Sequence, residues 1–203
     1  MKKNLFITLF LFLLIPFSNG QAKFSELSSA EKKWVLLHPI SSIKVKKRMK
    51  NIYKILESVK ADSTLDKYEN GGKTDAFRHI FTMAFLSKHI SLYRLRALGK
   101  AHEEGNFEQF QKKINEDGEL PDSVSCEMDL RNNEIGFLVG KKNKNASIDS
   151  LKKIILNQIR SGDVWIIKRN NKGDYLTCND SVINFNEVKD RWRVAKCLIK
   201  SNQ

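Results

Sequence analysis

The stretch Thr74-Asp75-Ala76-Phe77-Arg78-His79-Ile80-Phe81-Thr82-Met83-Ala84-Phe85 decides how the chain folds. Phe77, Ile80, Phe81, Ala84 and Phe85 recur at helical spacing. They predict a helix from Asp75 to about Ile90, with Thr74 as its cap. The polar residues of the same stretch do not fit a solvated face. Asp75 and His79 are i and i+4 and project from one side of the helix. A carboxylate one turn from an imidazole fixes its tautomer and raises its basicity, as a general base or a metal-bound histidine requires. Arg78 lies one step round, with a planar fork suited to carboxylate or phosphate. The plainer alternative is an acid favoured by the helix dipole and a core histidine with its hydrogen bonds satisfied.

Towards the N-terminus, residues 62–72 are polar and end in Asn70-Gly71-Gly72, a loop. Before it, Val45, Met49, Ile52, Leu56 and Val59 form one apolar stripe, predicting a helix over about 42–59. Lys44, Lys46, Lys47, Arg48, Lys50 and Lys54 cover much of its remaining surface, with no acid over 44–54. That surface is either a solvated face or a patch for phosphate groups. Further upstream, Ser28-x-x-Glu31 is a capping box that opens a short helix through Trp34, Val35 and Leu37. Pro39 is expected to end it.

Towards the C-terminus, 91–104 reads as a fourth helix, closed by Gly105-Asn106 as a C-cap. Asp122 or Ser123 can cap a fifth helix that runs to about Gly140. Ser147 caps a sixth, ended by Ser161-Gly162. The runs 164–167 and 175–177 flank Asn170-Asn171-Lys172-Gly173 and predict a β-hairpin. The tail 188–199 fits either strand or helix. The fold class expected is mainly α: a compact domain of five or six helices with a small C-terminal β-hairpin.

Two further polar stretches stand out. Ala101-His102-Glu103-Glu104 ends the fourth helix. Met128-Asp129-Leu130-Arg131-Asn132-Asn133-Glu134-Ile135-Gly136 lies in the fifth, where Asp129 and Asn133 are i and i+4. Asparagine is a poor helix former, so two in a row imply a needed side-chain amide. Gly136 and Gly140 would let another helix approach closely. Two helices bearing acid, amide and imidazole can enclose a polar site. A structural hydrogen-bond network is the rival.

These motifs resemble a bacterial domain family of uncharacterised function that shares D-A-x-R-H, A-H-E and M-D-L-x-N-N-x-x-G, over about 28–175 of this chain. That family has been proposed as a distant relative of Wnt-type domains with a lipid-directed enzymatic role. By position, the resemblance singles out Asp75, Arg78, His79, His102, Glu103, Asp129, Asn132 and Asn133. It departs at Lys73 and Thr74, where many members have small residues.

At the N-terminus, Lys2-Lys3, the apolar run 5–17 and Ser18-Asn19-Gly20 follow the pattern of a secretory signal. The expected organisation is a signal peptide over 1–20 and a single helical domain over 21–203. The expected location is secreted or periplasmic. An oxidising compartment permits one disulfide among Cys126, Cys178 and Cys197. Cys178 with Cys197 is favoured because Cys126 falls inside a predicted helix. Three unpaired buried thiols are the alternative. Hydrophobic residues make up 41% and charged residues 29%, which excludes a disordered chain. The net charge of +13 suits anionic partners.

The function expected is hydrolase-like, on an anionic substrate with phospholipid the leading class. His79 would be the general base, oriented by Asp75 or Asp129. Arg78 would stabilise phosphate or an oxyanion. Asn132 and Asn133 would position substrate or a metal's water, with His102 and Glu103 completing the site. The donor set allows a divalent cation without identifying it. The alternative is a non-enzymatic envelope or partner-binding module whose polar cluster is structural. Anionic lipid or a membrane surface is the expected partner. Nucleic acid is disfavoured by export and by the lack of aromatic residues among the basic ones.

Overall fold

The structure of the protein, a computed structural model, describes residues 24–114 and 119–203. The signal peptide expected over 1–20 lies outside the described residues. After a 3-10 turn at Phe24–Glu26 come α1 (Ser29–Leu37), α2 (Pro39–Val59), α3 (Lys73–Ser87) and α4 (Leu92–Gln111). Then follow α5 (Ser123–Lys142), α6 (Ile148–Ser161), β1 (Trp165–Ile167), the single-turn α7 (Phe185–Val188) and β2 (Leu198–Lys200). The chain is mainly helical, with one small antiparallel strand pair near its C-terminus. Among the described residues, no helix is long and apolar enough to cross a membrane.

The core is built round α3, which packs most extensively on α5 and also on α6 and α2. Phe77, Phe81 and Phe85, one turn apart, stack with ring centroids 5.5 and 6.0 Å apart. Ile80, Ala84 and Leu86 are fully buried beside them. Offset aromatic stacking adds about 0.5–1.5 kcal/mol per pair to the burial itself. Gly136 and Gly140 of α5 face the backbone of α3 at Ile80 and Ala84, so the two helices nearly touch. Removing side chains at those two positions is what lets the axes approach.

Several boundaries differ from the sequence expectation. Pro39 does not merely stop α1. It is the first residue of α2, where its missing N–H costs nothing, so α2 begins three residues earlier than expected. Thr74 does not cap α3. Asp66 does so from the preceding loop, its carboxylate accepting from Lys73 N (2.8 Å) and Thr74 N (3.3 Å). The Thr74 hydroxyl donates instead to the Asp66 carbonyl. Gly105 is not a C-cap, because α4 continues through it to Gln111. Its role is close approach: a Cβ there would fall 2.6 Å from Ser28 Oγ, in the capping box that opens α1. The expected caps at Ser28, Asp122, Ser147 and Gly162 are all present.

The strand pair has a different second member from the one expected. β1 pairs with the C-terminal tail, in the register Trp165↔Lys200, Ile166↔Ile199 and Ile167↔Leu198. The 170–173 turn does form, but 175–176 contributes only isolated bridges, Arg169↔Tyr175 and Leu176↔Val182. The physical reason is long-range. Cys178 and Cys197 form a disulfide, which brings the tail alongside β1. Cys126 is free and buried.

Candidate functional site

The α3–α5 seam positions the site. Asp75 occupies the first turn of α3, and His79 lies one turn further along the same face. Asp129 and Asn133 lie one turn apart on the opposing face of α5. His79 Nε2 sits 3.2 Å from Asp129 Oδ1 and 3.4 Å from Asp75 Oδ1. Its other nitrogen, Nδ1, sits 3.2 Å from Asn133 Oδ1. An amide oxygen can only accept, so the ring carries a proton on Nδ1. Nε2 is turned between two carboxylates and makes no hydrogen bond of its own.

Asp75 is held from three directions. The Gly71 N–H donates to its Oδ2 at 2.7 Å. Arg78 donates to its Oδ1 through Nε (3.1 Å) and Nη2 (2.7 Å). Burial alone would push this carboxyl up. The Arg78 guanidinium, the His79 ring and the Gly71 N–H together hold it below the usual carboxylate range. Asp75 is therefore ionised at neutral pH. Gly71, in the left-handed region at φ 74, was hidden in what the sequence marked only as loop. Its Asn-Gly-Gly setting was the one available signal.

The centre is internal. Asp75, Asp129 and His79 are 2%, 5% and 8% exposed, so they do not line an open cleft. A groove of about 450 Å³ lies elsewhere, between Glu119, Arg169, Asp174, Tyr175 and Ile183, and holds none of the sequence candidates. Arg78 is the outward member, its side chain about a third exposed.

Three candidates do not join. Asn132, next to Asn133 and about 100° round the helix, pairs with the Trp165 backbone like a strand neighbour. Its Nδ2 donates to Trp165 O (2.9 Å), and Trp165 N donates to its Oδ1 (3.1 Å). The Asn pair thus serves two structures, one amide per element. His102 points from α4 to Glu31 of α1, with Nδ1 3.2 Å from Oε1. That contact belongs to α1–α4 packing. Glu103 points inward, accepts from Asn106 Nδ2 (3.0 Å) and leaves Oε1 buried without a hydrogen bond. Burial pushes the Cys126 thiol far up, and the negative charges of Glu103, Asp129 and Asp122 push it further. Cys126 is therefore no thiolate nucleophile.

Residues 32–163, more than half of the chain, match the family described as Domain of unknown function (DUF6973). No curated protein matches the chain, and no solved structure does.

Proposed function

The chain belongs to that family of unknown function, and for it we propose a secreted hydrolase that acts on an anionic, phospholipid-type substrate. The Asp75–His79–Asp129 centre activates water, and Arg78 carries the developing negative charge. One observation supports this above the rest. His79 is locked at Nδ1 by Asn133 while Nε2 is aimed, without a hydrogen bond, between two carboxylates. A purely structural histidine satisfies both nitrogens. A water-activating centre keeps one ready.

The surface supports the substrate class. Leu36, Leu37, Ile40 and Ile43 are between 50% and 68% exposed at the α1–α2 corner, an apolar edge on an otherwise polar face. Ile40, Ile43, Lys44 and Lys47 share one face of α2 at i, i+3, i+4 and i+7. Apolar side chains beside lysines suit the interface of an anionic bilayer. The Cys178–Cys197 disulfide supports an oxidising compartment, in keeping with export.

The alternative, a binding module with a structural polar centre, is favoured by the burial of all three central residues. The two are separated by assaying the full chain against phospholipid and ester panels beside His79→Ala. Loss of turnover with a near-native melt supports the hydrolase. An inactive wild type, with a variant destabilised by about 1–3 kcal/mol through stranded buried partners, supports the module.

A further inference from the structure

We propose that Asp75, His79 and Asp129 bind a single first-row divalent cation through one carboxylate oxygen each and His79 Nε2. This names what activates water in the proposed hydrolase. Its catalytic consequence rests on that reading; the binding itself does not. The three side chains each offer one ligand atom, and these atoms lie within 4.8 Å of one another. The edges from Nε2 to the Asp129 and Asp75 oxygens are 3.2 and 3.4 Å. An ion about 2.1 Å from each ligand would subtend those edges at roughly 100–110°, the tetrahedral range.

The second observation is the state of His79 itself. The residue is 8% exposed, and its Nε2 has no hydrogen-bond partner. In the neutral ring with its proton on Nδ1, Nε2 would turn a lone pair towards two carboxylates, an arrangement that only a positive charge between them relieves. A proton on Nε2 would lie along one direction, and neither carboxylate contact has hydrogen-bond geometry. A cation at ligand distance serves all three at once.

The surroundings match those of metal ligands. A metal-bound histidine donates its other N–H to an acceptor, here Asn133 Oδ1 at 3.2 Å. A ligating carboxylate is itself hydrogen-bonded, as Asp75 is by Gly71 and Arg78. Two carboxylates with one imidazole suit Zn²⁺ or Mn²⁺. Ca²⁺ seeks six to eight oxygens. Three protein ligands leave a position for water, whose pKa a bound Zn²⁺ would lower from that of bulk water to about 7. His79 would then be a ligand rather than the general base, and the ion would replace that role by lowering the pKa of the attacking water, whose proton leaves to solvent.

The test uses purified full chain stripped with chelator and titrated with Zn²⁺, Mn²⁺, Mg²⁺ and Ca²⁺ by calorimetry and thermal melting. One equivalent of Zn²⁺ or Mn²⁺ should bind, and at about a hundredfold excess over Kd the melting temperature should rise by roughly 5–10 °C. Asp129→Asn, nearly isosteric, and His79→Gln should each lose binding at least tenfold to a hundredfold. On the wild type, Co²⁺ should give the visible absorption of a tetrahedral site, which needs no variant to fold. Absence of stoichiometric binding, or binding unchanged in both variants, overturns the proposal. Binding without turnover rejects the hydrolase and keeps the site. Turnover that persists in chelator with no binding does the reverse.

Discussion

Replacing Gly136 with alanine should weaken the fold, although the same change in an exposed helix would strengthen it by about 1 kcal/mol. A Cβ at Gly136 would fall 2.6 Å from Ile80 O, 2.9 Å from Met83 Cβ and 3.1 Å from Ile80 Cα. Carbon contacts are comfortable at about 3.5–4.0 Å, so α3 and α5 would have to part by roughly 0.7–1 Å at that point. Two of the three clashing atoms are backbone, which cannot rotate away. Overpacking costs about 1–3 kcal/mol, and two immovable backbone contacts put this case in the upper half of that range, so it outweighs the propensity gain by roughly 1–2 kcal/mol. For a chain of this size, that lowers the melting temperature by roughly 2–8 °C. The displacement also reaches the centre. Asn133 lies one turn before Gly136, and His79 adjoins Ile80, so their 3.2 Å contact would open beyond hydrogen-bond range. Equilibrium urea unfolding of Gly136→Ala beside wild type measures the first effect, and metal titration measures the second. A variant more stable than wild type, with its centre intact, would refute the close-approach argument.

Two further outcomes follow from the surface. Binding to anionic vesicles should fall steeply as salt rises, and charge reversal at Lys46, Lys47 and Lys50 should abolish it, because each basic residue near such a surface contributes about 1 kcal/mol. Equal co-sedimentation with neutral vesicles would leave those lysines a solubility role only. Glu31 gives a pH dependence. Burial pushes its carboxyl up, but His102 and the Ser28 groups hold it below its usual 4.5. A carboxyl lowered on folding stabilises the fold above its unfolded value and loses that contribution as pH falls through the folded one. Acid titration of stability below about pH 4.5 should therefore be shallower in Glu31→Gln than in wild type. An identical acid limb in the two proteins would rule out that contribution.

What could be read from the sequence was local. Ser28, Asp122, Ser147 and Gly162 marked helix ends because a cap acts on backbone groups within three residues of itself. Asp66 carries no such local mark, because it caps α3 from seven residues away, through the path of a loop. Gly105 looked like a terminus because its reason, the Ser28 hydroxyl, lies on another helix. β2 was ambiguous for the same reason: its place depends on a bond between Cys178 and Cys197, and strand pattern alone could not supply that. In the site, i and i+4 spacing identified Asp75 with His79 and Asp129 with Asn133. It could not choose between Asn132 and Asn133, nor turn His102 away, because those choices depend on which helix lies opposite.

The glycine seam and the polar centre depend on one another. A histidine side chain is short, and for Nδ1 and Nε2 to meet Asn133 and Asp129 on a neighbouring helix, the two backbones must lie closer than larger residues permit. Gly136 and Gly140 provide that approach by exposing α5 backbone to Ile80 and Ala84. Gly99 of α4 adds room on the far side, where a Cβ would come within 3.1 Å of Asn133 Nδ2. Burial then removes water from the centre, so every charge there acts through a low dielectric. That strengthens the attraction of Asp75 and Asp129 for positive charge and raises the cost of an Nε2 buried between them without a hydrogen bond. The apolar stacking of Phe77, Phe81 and Phe85 on the other side of α3 is what stabilises a helix carrying so unfavourable a cluster. A centre of this kind is retained at a cost to folding, and the proposed cation would offset that cost.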